Sequence, residues 1–420
     1  MNKMRITKTL GPGIMMAMTC IGASHIILAP TAGAKFGYSL LWAVLFAHIF
    51  KYPAFEFGPR YAIATGQPLL YGYLKIPGPK SWAFHILLFL TIIAGVSAVT
   101  GILSICAAIA YAGFQGISLP LWALIICTVT ITLLVIGKYK MMENVNKIML
   151  TILIFGTLIT FFAVTPDVSF VPHLIIPEVP LGSTLILAAL IGWMPGDLAI
   201  SVMHSLWTLE KRKDWKKDIK SKKDLKKEMM KKAMLDTRIG YIIALVTGLI
   251  FLLLGATVLM PKGLVPEGAE VAITLSSMYT EILGSWIYPV FLMTAFFVMF
   301  STAYNAMDGS ARAFGSGIML FTHKYSNERE KRLYLAFLGL IYVFSVLLIF
   351  LLPKPVFLVS VAASVGLISS PFVYILNLYC VKKHVSSDMQ PHKLTILLSF
   401  LGIGFLFLCI FYLLILPLIA

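Results

Sequence analysis

Apolar stretches of about 20 residues recur from one end of the chain to the other, and the short segments between them carry most of the charge. They cover residues 10–34, 39–62, 83–112, 119–138, 144–165, 181–208, 239–260, 285–306, 333–352, 355–380 and 394–418. Each is long enough for a helix to cross a bilayer, so about eleven spans predict an all-α integral membrane protein. Two of them are interrupted in the middle. In 10–34 the interruption is Ile21-Gly22-Ala23-Ser24-His25, with Pro30 one turn later; in 181–208 it is Gly192-Trp193-Met194-Pro195-Gly196-Asp197. Glycine loosens the backbone and proline removes a ladder hydrogen bond, so both spans are predicted to split near the midplane. Backbone freed at that depth must be satisfied by protein or by a water-lined cavity, which makes each break a candidate site. One break opens each half of the chain, the arrangement expected of a transporter built from inverted repeats.

The chain reads as one transmembrane domain. A tail at 1–9 precedes a first repeat over 10–165 and a second over 181–380; a basic loop at 209–238 lies inside the second repeat, and 394–418 is an extra helix. The composition, 59% hydrophobic and 12% charged over 420 residues, belongs to the same class. The basic tail leads straight into a full-length span, so no cleavable signal peptide is expected. Cys20, Cys106, Cys127, Cys380 and Cys409 stand at no metal-ligand spacing and read as small apolar packers.

A formal net charge of +16 would suit nucleic acid, but its distribution argues against that partner. Lys and Arg gather in alternate loops: Lys3/Arg5/Lys8, Lys75/Lys80, Lys138/Lys140, Glu210–Arg238, Arg312–Arg332 and Lys382/Lys383/Lys393. The intervening loops are short or carry Asp167, Glu178, Glu267 and Glu270. The positive-inside rule then places the N-terminus in the cytoplasm and, after an odd number of spans, the C-terminus outside a cell membrane. Loop 209–238 is basic enough to attract anionic lipid headgroups and reads as a topology anchor, with an amphipathic helix as one form it can take. A monomer is expected.

The second span holds His48, Lys51, Glu56 and Arg60. Charges inside a membrane normally pair and face the bundle interior. Glu56 and Arg60, four residues apart, share a face; Lys51 is placed to snorkel. With His204 these residues are expected to form a structural or gating network rather than a substrate site. Span eight ends in Ser301, Thr302, Asn305 and Asp308, oxygen donors at helical spacing that would suit a small coupling cation.

Gly11–Gly13 (GPG), Ala32–Trp42 (AGAKFGYSLLW) and Met194-Pro195 are similar to the corresponding segments of the NRAMP divalent-metal transporter family. The span count, the cytoplasmic N-terminus and the two broken helices extend the resemblance over most of the chain. It implies a LeuT-like fold, with two inverted five-helix repeats plus one helix and with helices 1 and 6 broken at the midplane. The family's first broken helix bears Asp-Pro-Gly-Asn, whose Asp and Asn bind the metal; the matching positions here are Gly22, Ala23, Ser24 and His25. The family's Met-Pro-His-Asn is here Met194, Pro195, Gly196 and Asp197, so its metal-binding Met is kept and its His is Gly196.

A dication in a membrane interior needs compensating charge, and Met194, His25 and Asp197 form a soft, charge-poor set for Mn²⁺ or Fe²⁺ and a worse one for Mg²⁺. A small anion suits the same residues better. Half-helix N-termini near Ala23–His25 and after Pro195 would aim N–H groups at the cavity, Ser24 and His25 would add donors, and Gly22, Ala23 and Gly196 would let an oxyanion approach. The expected function is therefore secondary-active transport of a small oxyanion, with bicarbonate first, binding at Gly22, Ala23, Ser24, His25, Met194 and Gly196. Proton-coupled transport of a divalent metal (Mn, Fe or Mg) is the alternative. Uphill anion uptake meets about 2.3 kcal/mol per 100 mV, so a coupling cation is expected. Asp197, Ser301, Asn305 and the unwound carbonyls near Cys20–Gly22 and Ile191–Met194 would hold Na⁺, or His25 or His204 would pass H⁺. No cofactor is expected, and no hydrolase, redox or phosphate-binding motif suggests an enzyme.

Overall fold

The computed structural model describes residues 10–79, 82–136, 139–164, 168–218, 225–322 and 326–415. The tail at 1–9, Lys80, Lys138, Asp167 and the centre of the basic loop (219–224) lie outside the described residues.

Span 1 is α1 (Pro12–Cys20) followed by α2 (Ser24–Phe36), the two halves bent by 43° across the predicted break. Pro12 sits in the first turn of α1, where its missing N–H costs nothing. α2 opens with a π turn over Ser24–Leu28. Span 2 is α3 (Leu41–Thr65), and a short α4 (Leu69–Leu74) follows. Spans 3, 4 and 5 are α5 (Trp82–Gly113), α6 (Leu119–Ile136) and α7 (Tyr139–Val164). Span 6 splits into α8 (Thr184–Trp193) and α9 (Ile200–Asp218). Span 7 is α10 (Leu225–Leu254), continued by wider and tighter turns to Lys262. Spans 8 to 11 are α12 (Ile287–Thr322), α13 (Asn327–Leu351), α14 (Pro355–His384) and α15 (Lys393–Ile410).

Three differences from the sequence reading have plain causes. The sixth span resumes only at Ile200, five residues after Pro195, because residues 194–199 run extended and then turn. Among the described residues the basic loop forms no separate amphipathic helix: Glu210–Asp218 prolongs α9 and Leu225–Arg238 begins α10, so its polar residues extend two spans. An α11 (Val271–Leu283) between spans 7 and 8 is too short to cross a bilayer and so left no apolar run of spanning length.

The packing repeats when five is added to the span number, counting ten cyclically. Span 2 packs on span 6 and, correspondingly, span 7 on span 1; span 3 packs on span 10 and span 8 on span 5; spans 3–4 are matched by spans 8–9. That is the contact signature of two equivalent five-helix repeats. Spans 1, 2, 6 and 7 form the buried centre, and α14 touches both this group and the span 3–8 scaffold. α15 turns Leu397, Phe400, Leu401 and Leu408 outward, as a helix facing lipid does.

Candidate functional site

The two breaks meet. A side-chain carbon at Gly196 would lie 2.9 Å from Cys20 Sγ at the end of α1, so the span 6 backbone presses against the span 1 break. From the other side, a carbon at Gly22 would lie 3.1 Å from the Thr302 methyl on α12. Gly248 on α10 closes a third side: a carbon there would meet Met194 Sδ at 3.3 Å and His25 Nε2 at 3.4 Å. Met194 and His25, 169 positions apart in sequence, therefore converge on one point. Gly22, Ala23, Ser24, His25, Met194 and Gly196 are all buried.

The donors expected to face an anion are engaged internally. His25 Nε2 lies 3.0 Å from the Ala244 carbonyl, so this nitrogen carries the proton, and Nδ1 accepts from Ser24 Oγ at 2.9 Å. His48 stands edge-on to His25 at 6.5 Å between ring centroids. Its Nδ1 donates to the Val44 carbonyl at 2.7 Å, and Tyr241 Oη donates to the His48 carbonyl at 2.7 Å.

Lys51 departs furthest from expectation. It does not snorkel; its side chain is buried and its ammonium donates to the carbonyls of Ile191 (3.1 Å), Gly192 (2.8 Å) and Gly196 (2.9 Å). Two of these, Ile191 and Gly192, lie in the stretch expected above to hold a coupling cation; they prove to be the last-turn carbonyls of α8 rather than unwound backbone, and Gly196 adds a third. Nor does Lys51 join Glu56 and Arg60. That pair is a closed unit: Arg60 Nε donates to Glu56 Oε1 at 2.9 Å and Nη1 to the Met389 carbonyl at 2.6 Å, tying span 2 to the segment before span 11. His204 is buried on α9 beside Trp207 and takes no part in the pair.

The expected coupling-cation set also disperses. Asp197 Oδ1 accepts the Ala199 N–H at 2.7 Å and the Asp197 carbonyl accepts from Ile200 N at 3.0 Å, so Asp197 caps α9. Ser301 Oγ donates to its own helix at the Val298 carbonyl, 3.0 Å away, the common habit of a hydroxyl inside a helix. Asn305 is half-buried a turn later, and Asp308 is spent on Arg312 (2.7 Å) and Tyr334 (2.8 Å). Thr302, not Ser301, is the span 8 residue that reaches the first break. Among the described residues no three His, Cys, Asp or Glu side chains gather closely enough to hold a metal ion.

A further contact went unforeseen in the sequence. Asp236, in the N-terminal half of α10, accepts the N–H groups of Gly11 (3.0 Å) and Gly13 (2.6 Å) and so caps α1. The helices touch here: a carbon at Gly13 would fall 2.1 Å from the Asp236 carbonyl oxygen, and one at Gly240 2.0 Å from that of Gly13. At the other end of span 1, Lys35 pairs with Glu267. Both ends of span 1 are thus tied down.

The profile of the Nramp family, natural resistance-associated macrophage protein-like, matches residues 13–416. An uncharacterised protein of Pasteurella multocida is 31% identical over 312 residues, 72% of this chain and 69% of that protein. A divalent metal cation transporter, MntH, of Chromohalobacter salexigens is 27% identical over 263 residues, 61% of this chain and 58% of that protein. Among solved structures, a manganese transporter of Eremococcus coleocola superposes with TM-score 0.72 at 14% identity, covering 96% of this chain and 85% of that one. Mhp1, a nucleobase-cation-symport-1 family transporter, superposes with TM-score 0.54 at 14% identity, covering 96% and 92%. The fold is the LeuT-like one, with helices 1 and 6 broken, and the chain belongs to the Nramp family of membrane transporters.

Proposed function

We propose that this chain is a secondary-active transporter that carries one small inorganic ion through the gap between its two broken helices, by alternating access. The observation that carries this reading is the convergence of Met194 and His25 on Gly248, where the breaks of spans 1 and 6 meet. For the cargo, the named relatives support a divalent metal ion, the alternative of the sequence reading; none of them supports bicarbonate. In this chain such an ion would meet the Met194 thioether and the His25 imidazole without a carboxylate, a set that favours softer dications over Mg²⁺. His25 would have to give up Ala244 or Ser24 to ligate it. A small anion is the second reading, and one observation favours it: the Lys51 ammonium is buried at the span 6 break, while Asp197 is turned to its own helix. By the positive-inside charge pattern the N-terminus would face the cytoplasm from a cell membrane, and because one chain holds both breaks a monomer would suffice.

Purified protein in proteoliposomes, given ⁵⁴Mn²⁺ or labelled bicarbonate under imposed proton and Na⁺ gradients, decides between these cargoes. Saturable Mn²⁺ uptake competed by Fe²⁺ supports the metal reading. Bicarbonate uptake with none of Mn²⁺ replaces it with the anion. Uptake of neither overturns the proposal.

A further inference from the structure

The last carbonyls of a helix have no partner within it and mark the negative end of its dipole. α8 ends at Trp193, so the carbonyls of Ile191 and Gly192 are such orphans; Gly196, within the break, adds a third that converges with them. Three carbonyl oxygens around one point are what a small monovalent cation binds when it sheds water. Here the point is taken by Lys51 Nζ, whose three protons match three acceptors. Lys51 arrives from α3, 140 positions before Ile191, and is wholly buried. A buried ammonium is retained only where its donors are answered, and all three here meet carbonyl oxygens at the negative end of α8.

We propose that the span 6 break is a monovalent-cation site filled by the chain's own Lys51 ammonium, which stands where a free Na⁺ would otherwise bind. The tethered charge holds α8 and the 194–199 segment in register and makes transport independent of Na⁺ at this position. The consequence for transport rests on the proposed function above, but the site itself does not. Its test therefore begins with a readout that needs no cargo.

The full-length chain and its Lys51→Ala, Lys51→Met and Lys51→Arg variants are melted in detergent at constant ionic strength, with Na⁺, methylammonium or tetramethylammonium as the added cation. Lys51→Ala is expected to melt several degrees below wild type and to recover with methylammonium or Na⁺ but not with the bulky tetramethylammonium. Wild type should respond to none of the three. Lys51→Met, whose side chain fills the space without a charge, should melt low and stay unresponsive. If Lys51→Ala is recovered only when purified in methylammonium, the proposal stands. It is overturned if Lys51→Ala or Lys51→Met melts like wild type, if wild type gains from Na⁺ as Lys51→Ala does, or if Lys51→Ala cannot be recovered with methylammonium while Lys51→Met folds normally. In proteoliposomes, uptake should be Na⁺-independent for wild type and should require Na⁺ or methylammonium for Lys51→Ala. A melting rescue without transport by wild type would keep the cation site and refute the proposed function instead.

Discussion

If span 1 moves during transport as proposed, the cap that Asp236 places on α1 should set how readily that half-helix is displaced. The carboxylate accepts N–H groups from Gly11 and Gly13 at 3.0 and 2.6 Å and is almost fully buried. Removing a helix cap costs about 0.5–2 kcal/mol, and hydrogen bonds to a charged group run to about 1.5–3 kcal/mol each. The same carboxylate answers both donors, and water can reach the freed groups once α1 loosens, so Asp236→Ala should favour a displaced α1 by about 2 kcal/mol. At 1.4 kcal/mol per factor of ten, that raises the displaced population roughly thirtyfold. Cys20 reports the change. It ends α1 and is buried against Gly196, so parting the breaks should expose it. Maleimide labelling of Cys20, followed by peptide mass spectrometry to separate it from the other cysteines, should accelerate at least tenfold in Asp236→Ala. Asp236→Asn, which keeps one acceptor oxygen, should fall between. An unchanged Cys20 rate in a folded Asp236→Ala protein would show that the cap does not hold the gate, and the reasoning would fail.

Gly248→Ala should leave the fold intact yet cut ion uptake sharply, because its methyl enters the space shared by Met194 Sδ and His25; uptake and melting measured together separate the two effects. Gly196→Ala should destabilise the protein by about 1–3 kcal/mol through overpacking on Cys20 Sγ and Ile200 Cδ1, read by denaturation in detergent. Glu56→Ala strands the buried Arg60 guanidinium and should cost about 3–5 kcal/mol, towards the low end because the Met389 carbonyl remains.

Residues that act through their own backbone or their near neighbours were legible in the sequence. Gly22 and Met194-Pro195 announce both breaks because glycine and proline act locally, and Glu56–Arg60 announces itself by its four-residue spacing. Lys51 could not be read this way. Its partners are carbonyls, which every residue type supplies, and they lie 140 and more positions away. Asp236 was hidden for a similar reason: its partners are the N–H groups of Gly11 and Gly13, and it stands in a basic stretch that reads as a topology anchor. Asp197 and Ser301 are the reverse case. Their spacing suggested ligands, but both satisfy backbone groups within four residues, the local competition that Asp and Ser side chains favour. His25 begins α2 just after the first break, and its ring answers Ser24 beside it and the Ala244 carbonyl, a contact that only the packing of span 1 on span 7 creates.

The claim at the centre of this reading is that the ion passes where Met194 and His25 converge. Initial rates of ⁵⁴Mn²⁺ and labelled bicarbonate uptake into proteoliposomes, compared between wild type and Met194→Ala at matched folded protein, test it most directly. The expected result is uptake of one ion by wild type and a loss of roughly tenfold or more in Met194→Ala, the loss of one ligand interaction worth about 1.4 kcal/mol or above. Equal rates for the two proteins would place the ion's path elsewhere in the chain.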